Sequence, residues 1–356
     1  MKNMRFCAVL ITALGFQAAF ADPTMTMPQQ PNNTYEQAVF GTTTYQSQYT
    51  TQTKTQAKDI AKPVNNKAVL QIQDLRRLVK AAKDGNITAA NAIKDAANEG
   101  DSNAALQYGY LAHTGKLPAM GTNYALAMKA YKKSARQKDK QGQELGYLGN
   151  YLATYNIAVM YQQGQGVPQS VNEAYRWFRI TNEAYAEQHP NRVFYPAAIQ
   201  MARALQTGIG TQRDDKAAVQ MWLAAVKEGS PDAMVGYANM VAAGRGTIKN
   251  PSIAFQYYKR AADKWHLEAI EAMAKLTAKG DGISREPNLK ESVKWHIILA
   301  TVKKKYSGKE KVALSKLSPR EQQSAKEAAL SWLSSHLHTP EPFDYTQPLY
   351  EEPRKY

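Results

Sequence analysis

The chain is 356 residues long, 44% hydrophobic and strongly basic, with 45 Lys and Arg against 30 Asp and Glu and a formal net charge of +15. A single cysteine excludes a disulfide framework and a cysteine-built metal site, so apolar packing must hold the fold together. The charge favours anionic partners such as acidic proteins, lipid headgroups or wall polymers, and no recognition motif accompanies it that would point to nucleic acid.

At the amino end, Lys2 and Arg5 precede the short apolar run "FCAVLITALGF", and Ala19-Phe20-Ala21 supplies small residues at the cleavage positions. This is the pattern of a secretory signal peptide over residues 1–21, cut after Ala21. The apolar run is shorter than the roughly 20 residues that span a bilayer, and no later segment meets that length. Cys7 lies inside the leader, too early to be a lipid-modified cysteine at the cut. The predicted mature chain therefore carries no thiol, and loss of Lys2 and Arg5 brings its net charge to +13. The expected destination is the periplasm, with secretion or the cell surface as alternatives. Residues 22–66 are low in complexity, as in "PNNTYEQAVFGTTTYQSQYTTQTKTQ". With few aliphatic residues and no helical period, this segment cannot bury enough surface to order itself, and it reads as a disordered spacer. The alternative makes Tyr35, Tyr45 and Tyr49 contacts for a wall or a partner.

Residues 67–338 are rich in alanine and read as helix nearly throughout. A Gly-x-Gly pair recurs at Gly164/Gly166, Gly208/Gly210, Gly244/Gly246 and Gly280/Gly282, in steps of 44, 36 and 36 residues, and a weaker copy ends at Gly115. Taken alone, "LQTGIGTQRDDKAAVQMW" looks like a phosphate loop. Recurrence argues otherwise: none of the pairs runs into a helix-opening Gly-Lys-Ser/Thr, and Lys216 falls inside its helix. Eleven residues before each glycine stands Ala104, Ala153, Ala197, Ala233 or Ala269, and six before it Gly109, Ala158, Ala202, Ala238 or Ala274. Ten after it come Ala174, Ala218 or Ala254, each followed by a bulky pair: Trp177-Phe178, Met221-Trp222 or Tyr257-Tyr258. The last copy, its loop two residues longer, offers Ser292 and Trp295-His296, and the first Ala127 and Ala130-Tyr131. The eight extra residues of the longest step are assigned to "EAYAEQHPNRVFYP".

Each unit is thus predicted as a helix, a tight glycine turn and an antiparallel second helix. Small residues let the axes approach, large rings fill the space beside them, and glycine closes the first helix. One such hairpin cannot bury its apolar face alone, so about five stack into an all-α solenoid.

This arrangement resembles the Sel-one-like repeat family, relatives of the tetratricopeptide repeats. "YNIAVMYQQGQGVPQSVNEAYRWF" carries Tyr161, Gly164, Gly166, Val167, Ala174, Trp177 and Phe178 in the family's positions, and "LQTGIGTQRDDKAAVQMWLAAVKEG" adds Asp214, Lys216 and Ala217. The resemblance covers residues 68–335, with degenerate outer copies. It implies an α/α superhelix acting as an adaptor, whose first helices line a concave groove for peptides. Some exported family members are linked with envelope assembly, motility, signalling or host-cell contact. Cysteine-rich members have been discussed as penicillin-binding or hydrolysing proteins, and the lack of mature cysteines sets this chain apart from that branch.

In each first helix, the positions twelve, eight, five and one residues before the glycine share one face, which is polar, small and varied. By the resemblance, Gln107, Tyr110, Asn156, Gln200, Arg203, Asn239 and Lys275 are the candidate contacts for a protein or peptide partner. The alternative is a merely wetted helix face. No catalytic set emerges. His113, His189, His266, His296, His336 and His338 are scattered without metal spacing, and His296 is expected as a packed core residue. No Gly-x-Ser-x-Gly elbow is present, and Asp214-Asp215 and Glu351-Glu352 sit in a turn and a tail. No metal, cofactor or enzymatic activity is predicted.

A lysine-rich stretch from Lys303 to Lys316 is expected as the loop before a capping helix, a possible contact for an anionic envelope surface. That helix begins at Ser318-Pro319 with Glu321 in its first turn, and Ala328, Leu330 and Trp332 are expected to seal the last repeat. Residues 339–356 form a proline-rich acidic and aromatic tail, read as extended and either packed on the chain's own domain or free to dock elsewhere. The function expected from all this is an exported, non-enzymatic scaffold. A host-contact factor and a wall-acting enzyme are the alternatives.

Overall fold

The computed structural model describes residues 72–138, 144–280, 286–336 and 343–353. The expected leader with Cys7, the low-complexity segment 22–66, Gly282 and His338 lie outside the described residues. Two helices come first, α1 (Ile72–Lys83) and α2 (Ile87–Glu99). Five hairpins follow: α3 (Ser102–His113) with α4 (Tyr124–Ala135), α5 (Tyr151–Gln163) with α6 (Val171–Gln188), α7 (Tyr195–Thr207) with α8 (Asp215–Lys227), α9 (Pro231–Ala243) with α10 (Pro251–Ala262), and α11 (Leu267–Lys279) with α12 (Leu289–Val302). A 3-10 turn, Lys304–Tyr306, then leads to α13 (Ser307–Leu314) and α14 (Pro319–Ser335). From α1 to α12 each helix packs on its neighbours in the chain, the paired helices of a hairpin most extensively, and both α13 and α14 pack on α12. The predicted all-α solenoid is what the chain forms. A two-stranded antiparallel ladder, Gln137–Lys138 with Glu144–Gly146, is a minor addition between α4 and α5.

The second helix of every hairpin opens on a polar cap. Asn123, Ser170, Asp214, Asn250 and Asn288 each accept, through the side chain, the backbone N–H three residues on. Such a cap contributes about 1 kcal/mol and fixes where the helix begins. Four first helices close on Gly164, Gly208, Gly244 and Gly280 in the left-handed conformation.

The second glycine of the pair does something else. A Cβ on Gly210, where φ is +84°, would lie 2.5 Å from the carbonyl oxygen of Val171, in the first turn of α6. On Gly246 it would collide with the Asp215 carbonyl at the start of α8. The pair is therefore a turn and a contact: one glycine ends its helix, and the other brings the loop against the preceding hairpin. Asp215 reinforces the same junction, since its carboxylate binds Arg213 and, across the repeats, Arg245, each at 2.7 Å. Hydrogen bonds from those two guanidinium groups hold its carboxyl down to about 2.

The seam of small residues is buried as the spacing requires: Ala104, Ala153, Ala197, Ala233 and Ala269 are all fully enclosed. The rings that fill the space beside it, Trp177, Phe178, Trp222, Tyr257, Tyr258 and Trp295, are buried as well. Trp222 of the third hairpin lies so near α9, the first helix of the fourth, that a Cβ on Gly236 would meet its ring at 2.6 Å. The extra residues of the long step lengthen α6 to 18 residues, against 12 to 14 in the other second helices.

Three expectations are corrected at the carboxyl end. His296 is only half-buried, its Nδ1 paired with the Ser292 carbonyl at 2.9 Å, because it lines an open cavity between α12 and α13 together with Lys309 and Lys316. The lysine stretch is not a loop but the 3-10 turn and α13. On α14 the sealing residues are Ala325, Ala329 and Leu333, while Ala328 is exposed and Leu330 half-buried. The capping box, in which the Glu321 carboxylate accepts the Ser318 N–H at 2.9 Å, fixes where the helix starts, and packing on α12 turns the i, i+4, i+8 series from Ala325 inward. Trp332 does contribute, packed between Trp265 and Trp295.

Gly246→Ala is expected to cost about 3 kcal/mol, from left-handed strain together with overpacking. Gly121→Ala, also at positive φ but with nothing within 4 Å, should cost about 1 kcal/mol. Urea denaturation of the two variants measures the difference, and equal losses would remove the inter-repeat contact as an explanation.

Candidate peptide groove

Asn156 lies in the middle of α5 and is fully buried. A buried carboxamide must find partners for both its donor and its acceptor. Here they come from another part of the chain, 193 residues away: its Nδ2 donates to the Leu349 carbonyl and its Oδ1 accepts the Leu349 N–H, both at 2.6 Å. The segment 343–353 of the tail runs along the first helices, with Tyr345 and Pro348 buried, so these helices line a groove and the tail lies in it.

Most of the polar contacts are side chain to main chain. Gln107 Nε2 donates to the Tyr350 carbonyl at 2.8 Å, and Gln163 Nε2 to that of Thr346 at 2.7 Å. The Tyr155 hydroxyl reaches the Tyr345 carbonyl at 3.4 Å. Burial pushes that phenol well above its usual range, with Tyr195 and Asp344 adding to the shift and Arg203 opposing it, so the hydroxyl stays a neutral donor.

Two rings of the tail are held at either end of this stretch. Tyr350 packs on Tyr110 with centroids 4.5 Å apart, and Lys83 from α1 lies 4.4 Å over it. Burial, then repulsion from Lys116, lowers the Lys83 ammonium, and Glu351 opposes them. Tyr345 sits 5.0 Å under the Arg203 guanidinium, and its hydroxyl donates to Asp232 at 3.2 Å. Burial alone would raise the Asp232 carboxyl. The hydrogen bond and charge of His266, the Tyr345 hydroxyl and Arg203 outweigh it, and the carboxyl ends below its ordinary value. At the far end the Tyr185 hydroxyl donates to Glu352 at 3.0 Å.

Of the seven candidate residues, Gln107, Tyr110, Asn156 and Arg203 thus converge on one bound segment. Gln200 is buried beside them and accepts from Gln162 at 3.4 Å. Asn239 is committed elsewhere, taking the Tyr258 hydroxyl at 2.5 Å and donating to Glu268 at 3.3 Å. Lys275 pairs with Glu271 at 3.2 Å on an exposed surface. Lys83, Tyr155, Gln163, Tyr185 and Asp232 were missed as contacts. Gln163 and Asp232 occupy the one-before and twelve-before positions of their repeats, so the same offsets could have found them. Lys83 precedes the repeats and Tyr185 lies on the lengthened α6, where the repeat pattern is silent.

Among the described residues, no group of three or more His, Cys, Asp or Glu could hold a metal ion, and no helix is long and apolar enough to cross a membrane. The chemistry on offer is main-chain recognition with ring and carboxylate pockets.

The model of the Sel1 repeat matches residues 102–139, 152–181, 196–230, 231–264 and 267–301, one match per hairpin from α3/α4 to α11/α12. The chain belongs to the Sel1 repeat family. Sel1 repeat proteins generally mediate protein–protein interaction. Among solved structures, a Sel1 repeat protein from Oxalobacter formigenes is similar at 26% identity and a TM-score of 0.52, covering 73% of this chain and 98% of its own. The protein c5321, described as a protective antigen of uropathogenic Escherichia coli strains displaying an SLR fold, is similar at 20% identity and a TM-score of 0.58. That match covers 74% of this chain but spans only 54% of the relative's length, and it shows a shared fold. No curated protein matches the chain.

Asn156→Ala removes both bonds to Leu349 and should lower stability by about 1–2 kcal/mol in urea denaturation. Asp232 adds a pH dependence. A carboxyl depressed by folding contributes stability above its unfolded pKa and loses it as pH falls through the folded one. Asp232→Asn should therefore lower Tm at pH 7, and its deficit against the wild type should shrink below about pH 4.

Proposed function

We propose that this Sel1 repeat protein is an exported, non-enzymatic scaffold that holds a peptide segment of a protein partner in the groove along α3, α5, α7 and α9. The observation that carries the reading is the two-way bond between Asn156 and the main chain of Leu349. A carboxamide spent on a backbone N–H and C=O grips a chain segment regardless of its side chains, and flanking pockets then select among sequences. Export is proposed on the leader pattern of residues 1–21, with the periplasm as the destination and secretion or the cell surface as alternatives. The basic surface suits a partner with acidic segments or an anionic envelope component.

Selection of the full mature protein against a random phage-displayed peptide library tests the groove. Compared in chains whose own tail is released by Tyr345→Ala and Tyr350→Ala, enriched peptides should bind Asn156→Ala about tenfold more weakly than the chain that keeps Asn156, a loss equivalent to about 1.4 kcal/mol. Equal binding would put the peptide site somewhere else. Export is checked by fractionation and mass spectrometry, where the envelope form should begin at Asp22.

A further inference from the structure

We infer that the tail segment 343–352 is the groove's resident ligand, closing it in cis, and that the partner segment displacing it shares its chemistry: two aromatic rings five residues apart, with carboxylates directly after the second. The inference rests on the peptide-binding reading above and names what that site selects.

The ring spacing comes from the two pockets. Tyr345 fills the one made by Arg203 and Asp232, and Tyr350 the one made by Lys83 and Tyr110. Between them, Gln163 and Asn156 take the main chain of Thr346 and Leu349 and so fix how much backbone separates the rings. After the second ring, Glu351 faces the field of Lys83 and Glu352 accepts the Tyr185 hydroxyl. A basic protein has thus laid an acidic piece of itself against groove cations.

Two features mark the tail as a replaceable occupant. Its polar hold on the first helices is through side chains of the groove, the way a peptide in trans is held, and it makes no strand ladder or helix of its own. It also leaves the groove incompletely used: Gln107 Oε1 is buried without a hydrogen-bond partner, and a peptide presenting an N–H there gains a bond that the tail does not make.

A short tether sets how strongly the tail competes. Residues 337–342 join the seated segment to α14, which places it at an effective concentration in roughly the millimolar range. For an intrinsic Kd of about 10 µM, the groove is closed about 99% of the time, and a competing peptide is weakened about a hundredfold.

The test uses a fluorescently labelled synthetic peptide, FDYTQPLYEEP, copied from residues 343–353. Its binding is followed by anisotropy against the full mature chain and against the full chain carrying Tyr345→Ala and Tyr350→Ala. Those substitutions loosen the tail and leave every groove residue in place. The double variant should bind the probe at least tenfold more tightly than the wild type, and a probe with both tyrosines replaced by alanine should not bind it. A second arm inserts a specific protease site between His338 and Thr339, and cleavage after folding should raise probe affinity in the same way. Equal affinity of closed and released forms, or a cleaved tail that stays bound through gel filtration and blocks the probe, would overturn the inference. If library-selected peptides still require Asn156 in that event, the scaffold reading stands without the cis ligand. If no peptide binds either form, both readings fall together.

Discussion

Close approach of helix backbones, made possible by alanine and glycine at fixed offsets, sets the spacing on which the rest of this molecule depends. Ala104, Ala153, Ala197, Ala233 and Ala269 are fully buried where helices meet, and no larger side chain fits that seam without pushing the axes apart. The large rings of the second helices, Trp177, Trp222 and Tyr258 among them, fill the space beside it. Spacing also fixes the groove, because side chains on successive first helices line up only if each hairpin is offset from the last by a constant amount. Asn156, Arg203 and Asp232 meet one peptide segment from three different hairpins for that reason.

Much of the fold was legible because the repeat is written five times over, so each weak local signal is confirmed at the next copy. Helix ends, the small seam, the bulky pairs and the capping box at Ser318 all follow from chemistry local to a few residues. What was not legible lies where the repetition stops or where one repeat meets the next. The face of α14 that seals the stack was misassigned because a single helix without a sister copy gives no register to compare, and its start at Ser318 does not say which side meets α12. The second glycine of each pair was read as part of the turn, whereas Gly246 is there because the loop touches α8. That contact joins two hairpins and is invisible to any pattern confined to one.

The groove divides in the same way. Position on the first helix identified Gln107, Tyr110, Asn156 and Arg203, since all four project from the predicted face. The same rule also selected Asn239 and Lys275, whose side chains are taken up by Tyr258, Glu268 and Glu271. A face can be read from periodicity, but which of its polar groups are already committed depends on partners that the period does not specify. The ligand came from a region with no period at all, the proline-rich end, where only composition spoke: acids and aromatic rings in a chain otherwise dominated by lysine.

A stack whose hairpins pack chiefly on the hairpins next to them behaves mechanically like a soft spring, since bending is shared among many small interfaces. The tail interrupts that compliance. By bonding to α3, α5, α7 and α9 at once, it acts as a lace drawn across successive coils. With the lace in place, hairpins far apart in the chain are forced to open together, and flexing of the inner surface is damped. Unthreading it would restore the suppleness of the array at the moment another chain arrives, so the entry of a guest and the softening of its host would be one event.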